Sequence, residues 1–153
     1  MKQALVMIDM QEGFEASEKR AVQIECQKLI KYAISKKMPI LVLEYAGQKW
    51  YGKTHDCLTN LYKEYKHYKL LKKRDDSGAP QVHNYLKKTY KNVSDIIVCG
   101  VNIDACVLET VAGLSLRGYN VKVMKKACNT DNYYRSWSHF RGMANTKIVK
   151  DFI

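Results

Sequence analysis

Cys106 is the residue of this chain whose position most strongly indicates chemistry. It follows the apolar run at residues 96–101, which is typical of a strand in a parallel sheet covered on both faces. A helix is predicted over 105–117, with Asp104 as its N-cap and Gly118 as its stop. Unpaired N–H groups and the positive end of a helix dipole favour a thiolate, so we expect a depressed pKa at Cys106 and the fastest alkylation of the five cysteines.

Two charged residues that follow other predicted strands can act on this thiol. Asp9 can accept the thiol proton, and Lys73 can keep the acid ionised and stabilise the thiolate while Cys106 attacks an electrophilic carbon. Backbone N–H groups of Asn102 and Cys106 can then hold the oxyanion of a tetrahedral intermediate. Together these residues predict acyl transfer to water through a thioester. Each also has a structural interpretation: Cys106 as a small buried helix residue, Asp9 as a cap of a neighbouring helix, and Lys73 as a surface lysine.

The elements that must position these residues alternate along the chain. Strands are predicted over 4–8, 40–43, 68–71, 96–101, 121–124 and 146–149, and helices over 17–37, 55–65, 81–90, 105–117 and 132–143. Strands joined by helical crossovers are parallel, and right-handed crossovers on both faces give a doubly wound, Rossmann-like α/β sheet in a three-layer αβα arrangement. We expect one domain over residues 1–153, because a chain of this length builds one core.

Ligands of doubly wound sheets bind at the carboxyl ends of the strands. The residues that follow the first two predicted strands are therefore candidates for lining a substrate pocket. They are Gln11, Phe14, Glu44, Tyr45 and Trp50. Glu44 has two interpretations of equal weight: it binds a cationic or N–H group of the substrate, or it caps the loop that follows.

Composition indicates an ordinary globular protein. Hydrophobic residues make up 46% of the 153, and no apolar run approaches the roughly 20 residues needed to span a bilayer. The five cysteines are scattered, which is typical of reduced thiols, and no signal-peptide pattern precedes the first strand. We therefore expect a cytoplasmic protein with no membrane partner and a small molecule as its substrate.

The net charge of +11, from 26 Lys and Arg against 15 Asp and Glu, raises the question of an anionic partner. The lysines are spread along the chain, and most are expected on solvated helix faces. The stretch 62–68 interleaves tyrosine with lysine, a pattern compatible with base stacking beside phosphate contacts. Nucleic-acid binding is the minority interpretation.

Three segments together resemble a known family, the isochorismatase-like cysteine hydrolases. Residues 5–11 (LVMIDMQ) with Phe14 are similar to the opening motif of that family, and residues 100–107 (GVNIDACV) are similar to its nucleophile motif. Between them, residues 73–77 (KRDDS) resemble the family's lysine segment. The resemblance extends over nearly the whole chain.

The resemblance implies a hydrolase of small carbon–nitrogen bonds with Asp9, Lys73 and Cys106 as its triad, strand order 3-2-1-4-5-6 and a cis peptide at Val101–Asn102. It also implies a homodimer or larger homo-oligomer. Nicotinamidases of this superfamily bind a metal through an aspartate and histidines after the second strand, whereas this chain has Glu44 and the residues 45–48 (YAGQ) there. We therefore expect no metal and no cofactor.

The sequence thus predicts a cysteine hydrolase, of amidohydrolase type, that cleaves an amide, imide or ureido bond of a small metabolite. The alternative is a catalytically silent member of the fold that acts as a basic module binding nucleic acid or protein. Thiol reactivity and salt-sensitive retention on nucleic acid separate the two hypotheses.

Overall fold

The computed structural model describes residues 2–131 and 137–151, which form a parallel six-stranded sheet between helices. The strands are β1 (Gln3–Ile8), β2 (Ile40–Tyr45), β3 (Tyr68–Lys73), β4 (Asp95–Val101), β5 (Asn120–Asn129) and β6 (Thr146–Val149). The helices are α1 (Arg20–Ser35), α2 (Asp56–Tyr62), α3 (Ala79–Thr89) and α4 (Leu108–Leu116). The order β3-β2-β1-β4-β5-β6 confirms the strand order that the family resemblance implies.

Two hydrophobic clusters lie on opposite faces of the sheet. One packs α3 and α4 against residues such as Val6 and Ile8 of β1. The other packs α1 and α2 against Leu5 and Met7 of the same strand. Successive residues of a strand point to opposite faces, so a continuously apolar β1 supplies both cores. The predicted three-layer α/β class is therefore confirmed. No helix within the described ranges is both long and apolar enough to cross a bilayer.

Several element boundaries differ from the sequence predictions. Instead of one helix over 17–37, a 3₁₀ turn at Glu15–Glu18 precedes α1. The helix predicted over 105–117 begins as a wider π-helical turn at Ile103–Val107, and only its second part is α-helical. Of the helix predicted over 132–143, residues 132–136 lie outside the described part, and the remainder contains the 3₁₀ turn Ser138–Phe140.

Gly100 lets β4 approach β1 closely just before the turn that carries Cys106. Its φ is +124°, and an added Cβ would overlap the backbone of Ile8. The register between β4 and β5 also shifts between Val98 and Gly100. The end of β4 is thereby held against the end of β1, where Asp9 follows.

Candidate active site

Asp9, Lys73 and Cys106 meet at the carboxyl edge of the sheet, although 64 residues separate the acid from the lysine. Lys73 Nζ lies 3.0 Å from Asp9 Oδ2 and 3.3 Å from Cys106 Sγ. Asp9 follows β1, Lys73 ends β3, and Cys106 lies in the turn after β4. The parallel strands therefore bring together the three side chains selected from the sequence, and their catalytic roles stay predictions.

Lys73 is fully buried, with its ammonium group surrounded by partners. Besides the Asp9 carboxylate and the Cys106 sulfur, its Nζ donates to the carbonyl of Asp75 at 3.1 Å. The ammonium also lies 5.1 Å from the centroid of the Tyr45 ring, within range of a cation–π contact. A buried cation needs such compensation, so the interpretation of Lys73 as a surface lysine is wrong.

Asp9 has an unusual backbone conformation. Its φ is +52°, a region that costs a non-glycine residue about 1–2 kcal/mol. Its N–H donates to the carbonyl of Leu43 at 3.0 Å, which fixes the end of β1 beside β2. Asp9 Oδ1 is buried, and no described residue donates a hydrogen bond to it within 3.5 Å, or 4.0 Å for sulfur. The Cys106 thiol is near enough to this carboxyl for the two groups to shift each other's pKa.

Burial dominates the acid–base properties of the site. It raises the pKa of Asp9 above that of an ordinary aspartate, while the charge of Lys73 lowers it. Burial also raises the pKa of Cys106 to about 12; the negative charge of Asp9 adds to this and the charge of Lys73 opposes it. The predicted depressed pKa of Cys106 is therefore wrong, because loss of water outweighs the helix terminus and the lysine.

The alkylation order predicted from the sequence no longer follows either. Cys106 is 6% exposed and its thiol is protonated at neutral pH, whereas Cys57 is exposed. The three other cysteines, Cys26, Cys99 and Cys128, are buried in the core. The order in which an unselective alkylating reagent labels the cysteines is therefore determined by their exposure before their intrinsic reactivity.

The turn that carries Cys106 differs from a simple helix start. Asn102, not Asp104, precedes the first helical residue, so the predicted N-cap is wrong. The Asn102 carbonyl accepts from Ala105 N and Val107 N, both at 3.1 Å, and its side-chain Oδ1 accepts from Asp131 N at 2.8 Å. The Asp104 carboxylate instead accepts from the Thr130 hydroxyl at 2.6 Å. These contacts tie the turn to the segment after β5.

The peptide bond between Val101 and Asn102 is cis, which confirms the prediction from the family resemblance. Cys106 lies within the π-helical turn, a conformation that is frequent at functional sites. The convergence of the Asn102 and Cys106 N–H groups on one developing oxyanion stays a prediction.

Gln11 and Glu44, two of the predicted pocket residues, hold the loop between β2 and α2. The Gln11 amide donates to the carbonyls of Tyr45 at 3.1 Å and Gly52 at 2.8 Å, and its oxygen accepts from Tyr45 N at 2.7 Å. Glu44 Oε2 accepts from the backbone N–H of Thr54 at 2.9 Å and from its hydroxyl at 2.7 Å. The two interpretations of Glu44 are thereby resolved toward loop capping.

The aromatic candidates separate into two groups. Phe14 stacks on Tyr51 with ring centroids 4.2 Å apart, and both rings contact Tyr45 edge-on. Tyr45 in turn faces the Lys73 ammonium, so this aromatic cluster forms one wall beside the candidate triad. Trp50 is 77% exposed and lies outside that cluster.

A cavity of about 490 Å³ lies beside these groups, a volume typical of sites for small molecules. Its walls include Tyr45, Gln48, Arg74, Asp75, Asp76 and Glu109. Asp76 Oδ1 lies 3.9 Å from Cys106 Sγ, so the cavity adjoins the thiol.

Asp75, Asp76 and Glu109 line the cavity although the sequence predicted no role for them. Asp75 and Asp76 directly follow Lys73-Arg74 in the segment that resembles the family's lysine motif, so their place in the sequence could have indicated that they lie near the site. Glu109 follows Cys106 by three residues, at the start of α4, and lines the cavity.

The residues from the end of β2 to the start of α2 do not fit the metal-binding pattern of nicotinamidases. Glu44 is engaged by Thr54, and the His55 ring nitrogen Nε2 is 2.8 Å from the Ser17 hydroxyl. Within residues 2–131 and 137–151, no three His, Cys, Asp or Glu side chains are grouped as metal ligands would be. The donor set itself therefore differs from that of the metal-dependent enzymes.

Comparison with known proteins identifies similar sequences and folds. Isochorismatase family protein 1A of Dictyostelium discoideum is 28% identical over 105 residues, which are 68% of this chain and 50% of that protein. The chain thus spans about half the length of this curated relative.

Two solved structures are also similar. The MAR1 ribonuclease of Caenorhabditis elegans has a TM-score of 0.76 and 27% identity, over 86% of this chain and 67% of that one. The nicotinamidase/pyrazinamidase PncA of Bacillus subtilis has a TM-score of 0.83 and 18% identity, over 98% and 100% of the two chains. At that identity, the second likeness concerns the fold.

The model of the isochorismatase domain matches residues 3–149, nearly the whole chain, and includes Asp9, Lys73 and Cys106. The strand order, the cis peptide and the position of the thiol after β4 agree with what the sequence motifs of that family imply. This chain belongs to the isochorismatase family of hydrolases.

Proposed function

We propose that this protein is a cysteine hydrolase that cleaves a carbon–nitrogen bond of a small metabolite through a thioester. The observation that supports the proposal most directly is the position of Lys73 Nζ, 3.0 Å from a buried carboxylate and 3.3 Å from a thiol. An acid, a cation and a nucleophile beside a cavity form a set suited to covalent catalysis. The fold of PncA, named as a nicotinamidase/pyrazinamidase, is compatible with amide chemistry.

Asp9 acts as the general base in the first half of the reaction. The thiol of Cys106 is protonated at rest, because burial raises its pKa to about 12. As Sγ attacks the carbonyl carbon, the thiol proton passes to Asp9 and the carbonyl oxygen gains the negative charge. The ammonium of Lys73 stabilises the ionised Asp9 at rest and then the negative charge that develops on sulfur as the proton leaves it.

The tetrahedral intermediate collapses when the C–N bond breaks. Asp9 returns its proton to the nitrogen, so a neutral amine or ammonia leaves and a thioester to Cys106 remains. Water then attacks the thioester carbon and loses a proton to Asp9. The C–S bond breaks, the proton returns to sulfur, and the product acid is released. Backbone N–H groups of Asn102 and Cys106 hold the oxyanion in both halves.

The direct test combines a screen of small amides for ammonia release with the variant Cys106→Ala. We expect this variant to lose all measurable turnover while it keeps its circular dichroism spectrum. In rapid-quench mass spectrometry of the unmodified protein, an acyl group should appear on the peptide that contains Cys106.

Cys57→Ala is the matched control, since Cys57 is exposed and lies outside the cavity walls. It should keep full activity and the same acyl adduct. Turnover that survives Cys106→Ala would contradict the proposal.

Nucleic-acid binding is the second candidate function, and two observations favour it. A groove beside α1 and β5 has Lys19, Lys125, Lys126 and Lys150 in its walls, and one solved structure similar to this chain is named a ribonuclease. Retention on single-stranded RNA that falls steeply with salt would support this function. Charge reversal of Lys125 and Lys150 should then weaken binding without change in amide hydrolysis.

A further inference from the structure

The cavity beside Cys106 has the opposite charge to the rest of the protein. Three carboxylates, Asp75, Asp76 and Glu109, line it together with a single guanidinium group, Arg74. The whole chain carries a net charge of +11. The local excess of two negative charges is therefore a specific feature of this cavity.

Within residues 2–131 and 137–151, no ion pair includes Arg74, Asp75, Asp76 or Glu109. The nearest buried cation, Lys73, is already paired with Asp9. The negative potential of the three carboxylates thus acts on the space that a bound molecule would occupy.

The potential reaches the reacting atoms. Asp76 Oδ1 lies 3.9 Å from Cys106 Sγ, and the charge of Asp76 contributes to raising the pKa of Asp9. The aromatic ring of Tyr45 and the amide of Gln48 are further cavity walls that can contact an organic cation or its N–H groups.

We propose that the substrate is a small amide or ureide that carries a positive charge, such as an ammonium or guanidinium group, which Asp75, Asp76 and Glu109 bind while the scissile carbonyl faces Cys106. This inference rests on the proposed function and specifies its substrate class. Phosphate-bearing and carboxylate-bearing molecules are disfavoured in the same cavity by like-charge repulsion.

A pair of charged thiol reagents tests the inference without a known substrate. The cationic reagent is 2-(trimethylammonium)ethyl methanethiosulfonate, and the anionic one is 2-sulfonatoethyl methanethiosulfonate. Each forms a mixed disulfide with a cysteine sulfur and releases methanesulfinate. Peptide mass spectrometry gives both rates at Cys106 and, in the same molecules, at the exposed Cys57. The raised pKa of Cys106 slows both reagents alike and cancels in the ratio.

We expect the ratio of cationic to anionic rate to be about tenfold higher at Cys106 than at Cys57. In the double variant Asp76→Asn/Glu109→Gln, the ratio at Cys106 should fall toward that at Cys57. The control variant Glu25→Gln/Asp151→Asn removes the same number of charges from residues that do not line this cavity, and it should leave both ratios unchanged. Equal ratios at the two cysteines, or no response to the first double variant, would overturn the inference.

Hydrolysis measurements separate this inference from the proposed function. The series 4-aminobutanamide, butanamide and succinamate differs mainly in charge, and ammonia release should fall in that order. Turnover with the reverse order would refute the charge preference and keep the hydrolase. If Cys106 reacts faster with the cationic reagent but turnover does not depend on Cys106, the hydrolase mechanism is refuted. The inference that the cavity favours cations would still hold.

Discussion

Two acid–lysine pairs lie next to each other at the carboxyl ends of the strands, and they differ in nearly every physical respect. Lys73 and Asp9 are buried, with Nζ and Oδ2 3.0 Å apart. Lys72 is 62% exposed, and its Nζ is 3.9 Å from Glu44 Oε1. Lys72 and Lys73 are adjacent in β3, and adjacent strand residues point to opposite faces of the sheet. The face that a lysine occupies, rather than its residue type, decides whether it belongs to the candidate site.

The difference also separates a buried ion pair from a surface ion pair. Exposed ion pairs contribute about 0–1 kcal/mol because water screens them. A buried ion pair costs desolvation free energy when it forms. Removal of one partner is also strongly destabilising, because it leaves the other charge buried and unpaired, so such a pair is found where further contacts stabilise it. Asp75 and Cys106 supply such contacts for Lys73.

Lys73→Met against Lys72→Met is the strongest test of this contrast. Lys73→Met should reduce turnover by orders of magnitude and destabilise the fold by about 3–5 kcal/mol, because Asp9 is left buried and unpaired. Lys72→Met should change stability by less than about 1 kcal/mol and leave turnover intact. Ammonia release and thermal unfolding measure both effects, and equal losses from the two variants would remove the contrast.

The double variant Asp9→Asn/Lys73→Met controls for the unpaired charge. It should regain much of the stability lost in Lys73→Met, since no ionised group is left without a partner. Turnover should stay absent, which separates the contribution of the pair to catalysis from its contribution to folding.

The pH profile of turnover tests which of the two acids, Asp9 or Glu44, controls the rate. Asp9 must be ionised to accept the thiol proton, and burial raises its pKa above the ordinary value of 3.8. The rate should therefore fall as pH drops through that raised pKa, at a higher pH than for an exposed aspartate. Deprotonation of Cys106 should not affect the rate near neutral pH, because burial raises the pKa of this thiol to about 12. The variant Glu44→Gln should keep the same acid limb, and a shift of that limb would assign it to Glu44.

Glu44→Gln should have a moderate effect that is structural. Both hydrogen bonds from Thr54 go to Oε2, and an amide oxygen in that position can accept both but without the negative charge that strengthens them. We therefore expect a loss of about 1 kcal/mol in stability and a higher KM through a looser loop. Denaturant unfolding and steady-state kinetics measure these changes. A fall in kcat as large as that of Lys73→Met would return Glu44 to the reacting centre.

Removal of divalent metals should have the smallest effect. Glu44 at the end of β2 accepts from Thr54, and His55 before α2 lies within hydrogen-bond distance of Ser17, so these two residues do not offer a donor set of the nicotinamidase type. Dialysis against a strong chelator should leave turnover unchanged. Loss of activity that zinc or iron restores would contradict this prediction.

The sequence predicts the residues that follow directly from strand ends and motifs. Asp9, Lys73 and Cys106 were identifiable because three local motifs occur in order and the strands that carry them are parallel. The π-helical turn at Ile103–Val107 was not, since its apolar spacing is that of an ordinary helix. The raised pKa of Cys106 was missed because burial depends on packing around the site, whereas the helix terminus is visible in the sequence.

The roles of Gln11 and Glu44 were not predictable for a related reason. Their hydrogen bonds reach partners 10 to 41 residues away, in a loop whose return path local sequence does not specify. Gln11 follows β1 and Glu44 is the second-last residue of β2. Selection by position at the carboxyl ends of the strands therefore identified both the site residues and the residues that support them. A position at the sheet edge indicates that a residue lies near the site. Only its contacts show whether its side chain lines the pocket or holds a loop in place.

The three hydrogen bonds of Lys73 leave its ammonium group no spare donor. A lysine ammonium has three N–H groups, and they are directed to Asp9, Asp75 and Cys106. The count matches one for one, so a substrate oxygen must find its donors elsewhere, on the backbone. Arginine would bring five N–H groups in a rigid plane and leave two of them unsatisfied in a buried space. The number of hydrogen-bond donors therefore favours lysine over arginine at this position.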